Sequence, residues 1–474
     1  MKDFNIVAFG TDSYKVSHHS FYPEGLETVY SYCEPRAGVQ FENTVFFGLQ
    51  YIIERYLSGQ VVTREKIEEA AAISEAHFGS PDVFNRAGWE HILQVHGGQL
   101  PILIQALPEG TVVPEGTPLF TIENTDPQVP WLTNYLETLI MQVWSPITVA
   151  TSSRAIREII LRYLEETGTP EDLPFKLHDF GYRGVSSLET AALAGAAHLA
   201  TGAMGTDTMS ALALLRDYYD APMAGFSIPA TEHSIMTARG PEDEADIVRQ
   251  ILRAYPKGLV AMVIDSFDTI GFIKNVIGGN EDIMEMIRNR EGCVVFRPDS
   301  GTLPSITTDV FNALEEVFGS EVNDKGFRVL PPYVRMIQGD GIKWYTNRDH
   351  TVSDILATFK AADISADNIA FGSGGGLLQD FTRDTQRFAI KCSAMKINGE
   401  WRDIYKQPKT DPMKNSKRGR LAVTKTPNGI ETFREEDATS NMLKPIFWDG
   451  SLTVRQTLEE VRRNAAIVES ANAF

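Results

Sequence analysis

The sequence predicts a mixed α/β protein: an irregular (β/α) barrel over residues 175–385, flanked by an α+β domain built from residues 1–174 and 386–474. Three observations carry this. Six apolar segments, starting at Lys176, Gly225, Leu259, Cys293, Val334 and Asn368, each end in a polar or glycine-rich turn. The last four starts lie 34, 41 and 34 residues apart, room for a strand, a helix and two loops. The intervening stretches, such as 241–255 and 306–318, place apolar residues at helical spacing. Strands alternating with helices form parallel βαβ units. Half a dozen of them, with polar residues gathered at the strand ends, favour a barrel over an open doubly wound sheet, which also carries its site at the strand carboxyl ends.

Taken in chain order, residues 29–36, 101–110 and 116–125 read as strands closed by turn residues, with a helix over 64–77 between them. Residues 190–206 are uncharged and rich in Ala, Gly and Thr, which reads as a tightly packed helix and turn, not a membrane span. The glycine run 372–376 leads into a helix over 377–384. Residues 388–397 are again strand-like, and a terminal helix starts at Val454.

Composition narrows the function. The 474 residues are 43% hydrophobic and 23% charged, ordinary for a globular enzyme. Lys and Arg number 44 against 63 Asp and Glu, a net charge of −19, which disfavours nucleic acid and anionic membranes as partners. The three cysteines, Cys33, Cys293 and Cys392, include no CxxC pair, so neither a disulfide framework nor a cysteine zinc site is expected. With no apolar signal segment near Met1, the expectation is a soluble cytoplasmic protein.

An anionic substrate must then be held by local features. Gly372-Ser373-Gly374-Gly375-Gly376, between a strand and a helix, suits close approach of backbone N–H groups to a phosphate. Gly339-Asp340-Gly341 makes a second tight turn one unit earlier. Arg297 and Asp299 share a strand end: Arg suits a phosphate or an amide oxygen, Asp suits vicinal sugar hydroxyls or a magnesium-bound water, and a structural ion pair is the plain alternative. Asp265 and Asp268 could serve in the same way. Of nine histidines, His18, His19, His77, His91, His96 and His350 have no ligand spacing and read as structural or solvated, and His198 as a core residue. His178 and His233 fall at strand ends, where His233 could act as a base or a phosphoryl acceptor, with no metal triad around it. Residues 406–420 carry six positive charges and one negative, an island suited to a small polyanion such as pyrophosphate.

Seven motifs, in order over about residues 10 to 420, resemble the nicotinamide phosphoribosyltransferases of the type II phosphoribosyltransferase family. They are Thr11 to Lys15, His178 to Gly184, Gly205 to Thr208, Pro229 to Ser234, Arg297 to Gly301, Ile337 to Gly341 and Phe371 to Gly376. The resemblance implies a homodimer with shared active sites. The implied reaction converts nicotinamide and phosphoribosyl pyrophosphate to nicotinamide mononucleotide and pyrophosphate, with magnesium, in NAD salvage. Phe180 and the partner's Tyr14 would stack on the pyridine ring, Arg297 would hold the amide oxygen, and Asp207 would accept from the amide NH₂. Asp299 would take the ribose hydroxyls, and Gly339, Asp340, Gly374 and Gly375 the 5′-phosphate. Asp12 and Ser227 belong to the implied substrate-binding set. Arg183, with Arg36, Arg383, Lys391 and Lys414 from the partner chain, would surround phosphate and pyrophosphate. His233, oriented by Asp265, would be phosphorylated by ATP as co-substrate, and Asp265 and Asp299 would hold magnesium mainly through water.

The chain departs from the animal enzymes in a shorter loop after Arg36 and in Ala389, where those have a phosphate-binding serine. Nicotinate phosphoribosyltransferase is the nearest alternative, and Asp207 favours the amide because a second carboxylate beside it would be repelled. A non-catalytic binding protein has no need of the phosphorylatable histidine. An aldolase or isomerase barrel would want a lysine or carboxylate base at the strand ends, and no such lysine is evident.

Overall fold

The computed structural model describes residues 4–346, 349–410 and 415–467. The chain divides into two compact units, the first from residues up to 151, 217–221 and 381–466, the second from 152–216 and 222–380. Sequence patterning placed the boundaries at 174/175 and 385/386. The first observed boundary falls inside the continuous helix Trp144–Thr167, where no linker composition marks it.

The first unit is built on an antiparallel sheet of seven strands. Their order is Glu400–Asp403, Phe388–Ile397, Leu26–Pro35, Phe120–Asn124, Ile102–Ala106, Lys444–Trp448 and Ser451–Leu452. The two ends of the chain share this sheet: Leu26–Pro35 pairs with Phe388–Ile397 along its length. Every residue from Val29 to Pro35 is buried, so both faces are covered and no polar alternation is seen. Helix Arg64–Phe78 starts at Thr63, whose side chain accepts from the Lys66 N–H, and stops at Gly79 in the left-handed conformation. The terminal helix is shorter than expected, Leu458–Asn464. The capping box between Thr457 and Glu460 fixes its start there and not at Val454.

The second unit holds a parallel six-stranded sheet in the order Gly205–Thr206, Leu177–Asp179, Ile369–Ser373, Val334–Gln338, Glu291–Arg297 and Lys257–Val263. The segment from Gly225, expected as a strand, is irregular: Pro229 has no N–H to give a ladder. It nevertheless closes the ring, because Phe226 bridges to Gly205 and Ala230 to Ala261, both in the parallel sense. Ala261, Cys293, Val295 and Ile337 pack together with Phe180, Ile228 and Ala370. Their strand neighbours Val260, Met262, Val294, Phe296 and Met336 are also buried, on the opposite face. Two-sided burial explains the continuous apolar runs. Helices Leu188–Ala200, Glu244–Ala254, Ser305–Phe318 and Thr351–Ala361 connect the strands.

His198 is fully buried, hydrogen-bonded to Ser153 Oγ at 2.8 Å and to the Gly205 carbonyl at 3.2 Å, a core residue as expected. His350 is buried as well. Its Nδ1 accepts from the Val352 N–H at 3.1 Å and caps Thr351–Ala361, and burial pushes its pKa down to about 3 from 6.5. The unfolded chain therefore binds a proton that the folded chain refuses, so stability falls as pH drops from about 6.5 toward 3. Asn offers a similar acceptor without titrating. His350→Asn is expected to flatten the pH dependence of the unfolding free energy between about pH 6 and 4, by up to about 1.4 kcal/mol per pH unit. Urea titrations across that range check it, and an unchanged slope would contradict the assignment.

Candidate active site

The carboxyl ends of the barrel strands gather the polar residues. Asp179 ends strand Leu177–Asp179 and is fully buried. Its carboxylate accepts from the Gly181 N–H at 2.7 Å and from Thr206 Oγ1 at 3.0 Å, while its carbonyl accepts from the Asp207 N–H at 2.9 Å. This ties together the turns that carry Phe180 and Asp207. Asp207 Oδ1 accepts from His178 Nε2 at 2.9 Å and from Ser227 Oγ, which leaves Oδ2 for a ligand. Burial alone would raise this carboxyl, but the His178 and Ser227 hydrogen bonds and the charge of Arg297 outweigh it and hold the pKa below the usual Asp value. Asp207 is therefore ionised at neutral pH.

Phe180 stands beside this anion. Its N–H donates to the Ser373 carbonyl at 2.9 Å, its ring centroid lies 4.8 Å from that of His178, and the Arg297 guanidinium lies 5.4 Å from it. The ring needs Gly372, since a Cβ there would meet Phe180 Cε2 at 1.9 Å. Arg297 pairs with Asp299 at 3.2 Å, and its buried Nε has no hydrogen-bond partner. Gly339 packs on this pair: a Cβ would sit 2.6 Å from Asp299 Oδ1 and 3.0 Å from Arg297 Nε. Asp340 is exposed on the same turn, its carbonyl accepting from Gln338 Nε2 at 2.9 Å.

The glycine run forms a tight turn into Gly375–Leu378, a helix of one turn. The expected helix over 377–384 does not continue, because the main chain turns at Gln379 and Asp380, whose N–H groups both donate to the Gly375 carbonyl. Arg183, exposed on the turn Tyr182–Gly184, is brought beside the run: a Cβ on Gly184 would lie 3.2 Å from the Gly375 nitrogen.

His233 opens the short helix His233–Met236, and its Nε2 lies 3.0 Å from Asp265 Oδ1. The imidazole is half exposed while the Asp265 side chain is 3% exposed, so a buried carboxyl group orients an accessible ring. Thr231 fixes the approach, its hydroxyl accepting from the Val263 N–H at 2.9 Å. Asp268, a candidate in the sequence, instead caps Thr269–Gly271 by accepting from the Gly271 N–H. Below the strand ends a cavity of about 940 Å³ opens in the barrel, lined by His178, Ser227, Ile228, Val295, Ile337 and Ala370 among others.

The first unit carries its own polar pocket of about 390 Å³, lined by Asp12, Tyr14, Lys15, Arg383, Ala389 and Lys391 among others. Tyr14 is 59% exposed, and Asp12 is held by Thr138, whose hydroxyl donates to its carboxylate at 2.7 Å. Arg36 Nε donates to the Arg387 carbonyl and Arg383 Nη1 to that of Phe388. Burial lowers the Lys391 pKa, with Glu137 opposing it and Arg36, Lys406 and Arg383 adding smaller contributions. Lys414 lies outside the described residues. Sequence reasoning set His178 at a strand end but gave it no partner, and it missed Asp179, although a His-Asp pair ending an apolar segment was the available signal. Asp265 and Asp299 belong to no tight three-ligand cluster among the described residues.

Residues 175–450 match the model of the nicotinate phosphoribosyltransferase (NAPRTase) family, and residues 5–104 match the nicotinamide phosphoribosyltransferase N-terminal domain. The chain is 46% identical over 471 residues to nicotinamide phosphoribosyltransferase from Xanthomonas campestris pv. campestris (strain 8004), covering 97% of this chain and 98% of that protein. It is 33% identical to the protein of that name from Acinetobacter baylyi, covering 96% of each. Among solved structures, nicotinate-nucleotide pyrophosphorylase from Pyrococcus furiosus shares the fold with a TM-score of 0.60 at 15% identity, over 98% of this chain and 97% of that one. Human nicotinic acid phosphoribosyltransferase does so with a TM-score of 0.58 at 15% identity, over 96% and 92%. The chain belongs to the nicotinate phosphoribosyltransferase family.

Proposed function

We propose that this chain is a nicotinamide phosphoribosyltransferase of NAD salvage, joining nicotinamide to phosphoribosyl pyrophosphate to give nicotinamide mononucleotide and pyrophosphate. Its relatives from Xanthomonas campestris and Acinetobacter baylyi carry that name. The observation that carries the choice of base is the Asp207 carboxylate, held ionised by His178 and Ser227 beside Phe180 and Arg297. An ionised acceptor suits the amide NH₂ and repels the carboxylate of nicotinate.

In the proposed reaction the pyridine nitrogen attacks the anomeric carbon of the ribose. The N–C1′ bond forms as the C1′–O bond to pyrophosphate breaks, through an oxocarbenium-like state. Phe180 and Arg297 place the base, Asp299 the ribose hydroxyls, and Gly339, Asp340, Gly374 and Gly375 the 5′-phosphate. Positioning and stabilisation of the departing charge supply most of the rate. Magnesium, near Asp265 and Asp299, would neutralise charge on the pyrophosphate oxygens. In a homodimer, the pocket with Asp12, Tyr14, Arg36, Arg383 and Lys391 would come from the partner chain to close over ring and pyrophosphate, with Lys414 in the same set.

ATP acts through His233. Asp265 takes the Nε2–H, which leaves the lone pair on Nδ1 to attack the γ-phosphorus, forming the N–P bond as the bond to ADP breaks. The reading places the enzyme in the cytoplasm; among the described residues no helix is long and apolar enough to cross a membrane.

The test measures mononucleotide formed from nicotinamide and from nicotinate, with phosphoribosyl pyrophosphate and magnesium, each with and without ATP. Product mainly from nicotinamide, increased by ATP, is expected. His233→Ala should abolish the ATP-dependent gain and leave the ATP-independent rate as the whole activity. Preference for nicotinate would move the chain to the sister reaction, and binding without turnover would make it a binding protein.

A further inference from the structure

A cluster of ligand-type side chains lies apart from every residue given a role above. His91 lies just ahead of the last turn of helix Arg86–Val95, and His96 is the residue that caps it. In a continued helix, residues five apart would point about 140° away from each other. The chain leaves helical geometry at His96, and both rings turn onto one carboxylate oxygen: His91 Nε2 and His96 Nε2 lie 2.7 and 2.6 Å from Asp126 Oδ2. The ring centroids are 5.9 Å apart at 67°, so the imidazoles converge on a point and do not stack.

Asp126 is held ready for this. Its Oδ1 accepts from the Gln128 N–H at 2.8 Å, and its carbonyl accepts from Asn124 Nδ2 at 2.8 Å and the Val129 N–H at 3.2 Å. Only Oδ2 is turned to the rings. The three side chains are 29%, 24% and 13% exposed, which leaves a side open to water. Among the described residues, this is the one group of three His, Cys, Asp or Glu side chains whose ligand atoms all lie within 4.8 Å of one another.

We propose that His91, His96 and Asp126 bind a divalent transition-metal ion of the zinc class through two imidazole nitrogens and one carboxylate oxygen, with a position left to water. The ligand set selects the class, since imidazole suits zinc, cobalt, nickel and copper, whereas magnesium and calcium prefer oxygen. Ligand atoms about 2.0–2.2 Å from a tetrahedral ion stand about 3.3 Å apart, so each contact opens by about 0.6 Å as the ion enters. The protons balance. Each ring coordinates through Nε2 and carries its remaining proton on Nδ1; a neutral ring moves its proton between nitrogens, and a protonated ring releases one to solvent. The helix carboxyl end, with its partial negative charge, adds favourable potential for a cation. Bound there, the ion ties the end of Arg86–Val95 to the turn around Asp126, a structural clamp separate from the chemistry of Asp265 and Asp299.

Titration of the chelator-treated full chain with Co²⁺ in excess Mg²⁺ tests this, because Mg²⁺ occupies oxygen-lined sites and leaves an imidazole site to cobalt. One equivalent should produce the visible absorption of four- or five-coordinate Co²⁺, displaced by Zn²⁺, and Zn²⁺ should raise Tm by mass action. His91→Gln and His96→Gln should each lose the band and the Tm shift. A wild-type spectrum no different from aqueous Co²⁺ overturns the proposal and makes the cluster a hydrogen-bonded clamp, as does a band that survives both substitutions. Should the variants fold poorly, proton NMR of the wild-type cobalt form decides. Two paramagnetically shifted, exchangeable imidazole N–H resonances are expected, and none would overturn the site.

Discussion

Replacing Asp207 by Asn is expected to lower the ratio of kcat/KM for nicotinamide over nicotinate by at least about 10²-fold. The direction follows from which oxygen is already used. Oδ1 accepts from both His178 Nε2 and Ser227 Oγ, so an Asn side chain keeps its oxygen there and turns its NH₂ toward the ligand. Nicotinamide then loses a charged acceptor and meets a donor facing its own NH₂, while nicotinate gains a donor and loses a repelling charge. A hydrogen bond to a charged group is worth about 1.5–3 kcal/mol, and each 1.4 kcal/mol is tenfold. The Asp207 side chain is 44% exposed before ligand binds, so solvent screens part of the repulsion, and the wild-type preference is a matter of degree. Steady-state kinetics on both bases check the ratio, and far-ultraviolet circular dichroism confirms the fold. Nicotinamide turnover unchanged in the variant would remove Asp207 from base recognition.

The same residues show what a sequence can and cannot disclose. Strand ends were legible because an apolar run stopping at a polar turn marks the place: Asp265, Arg297, Asp299 and Gly339 were found that way, and the structure brings the last three together from two neighbouring strand ends. The discontinuous sheet was legible because strand-like stretches stand at both chain ends, outside the regular strand–helix alternation of residues 175–385. The partners of Asp207 were not. His178 and Ser227 reach it across 29 and 20 residues, a juxtaposition created only when three strand ends close into a ring. The His91 and His96 pair was passed over because five-residue spacing is wrong for one helix face, although Gly97-Gly98 behind His96 marked the helix end that corrects it. The unit boundary was invisible for a different reason: an unbroken helix runs through it.

Gly375→Ala is expected to raise KM for phosphoribosyl pyrophosphate by about 10²-fold while leaving Tm unchanged or slightly higher. Most glycines of the run cannot separate binding from folding. An Ala at 372 would drive into the Phe180 ring, and one at 376 would meet the Ile342 carbonyl at 2.6 Å. Gly374 holds φ −95° and ψ −116°, a conformation awkward for a side chain. At 375 the added Cβ finds only the Gly184 carbonyl oxygen at 3.5 Å and Asp380 Oδ1 at 3.9 Å, ordinary contacts. The residue is helical, where Ala gains up to about 1 kcal/mol over Gly. The protein itself therefore tolerates the methyl group, and any penalty falls on what approaches the backbone. The N–H groups opening this turn lack intrahelical acceptors, and a phosphate reaching them must come to within about 3 Å. A methyl group in that space displaces about two charge-assisted bonds, which at about 1.5 kcal/mol each gives the stated factor. Initial rates at saturating nicotinamide, beside a thermal unfolding curve, measure both quantities. Undiminished affinity for phosphoribosyl pyrophosphate in a folded variant would place the phosphate elsewhere on the barrel mouth, with Gly339 and Arg183 as its remaining holders.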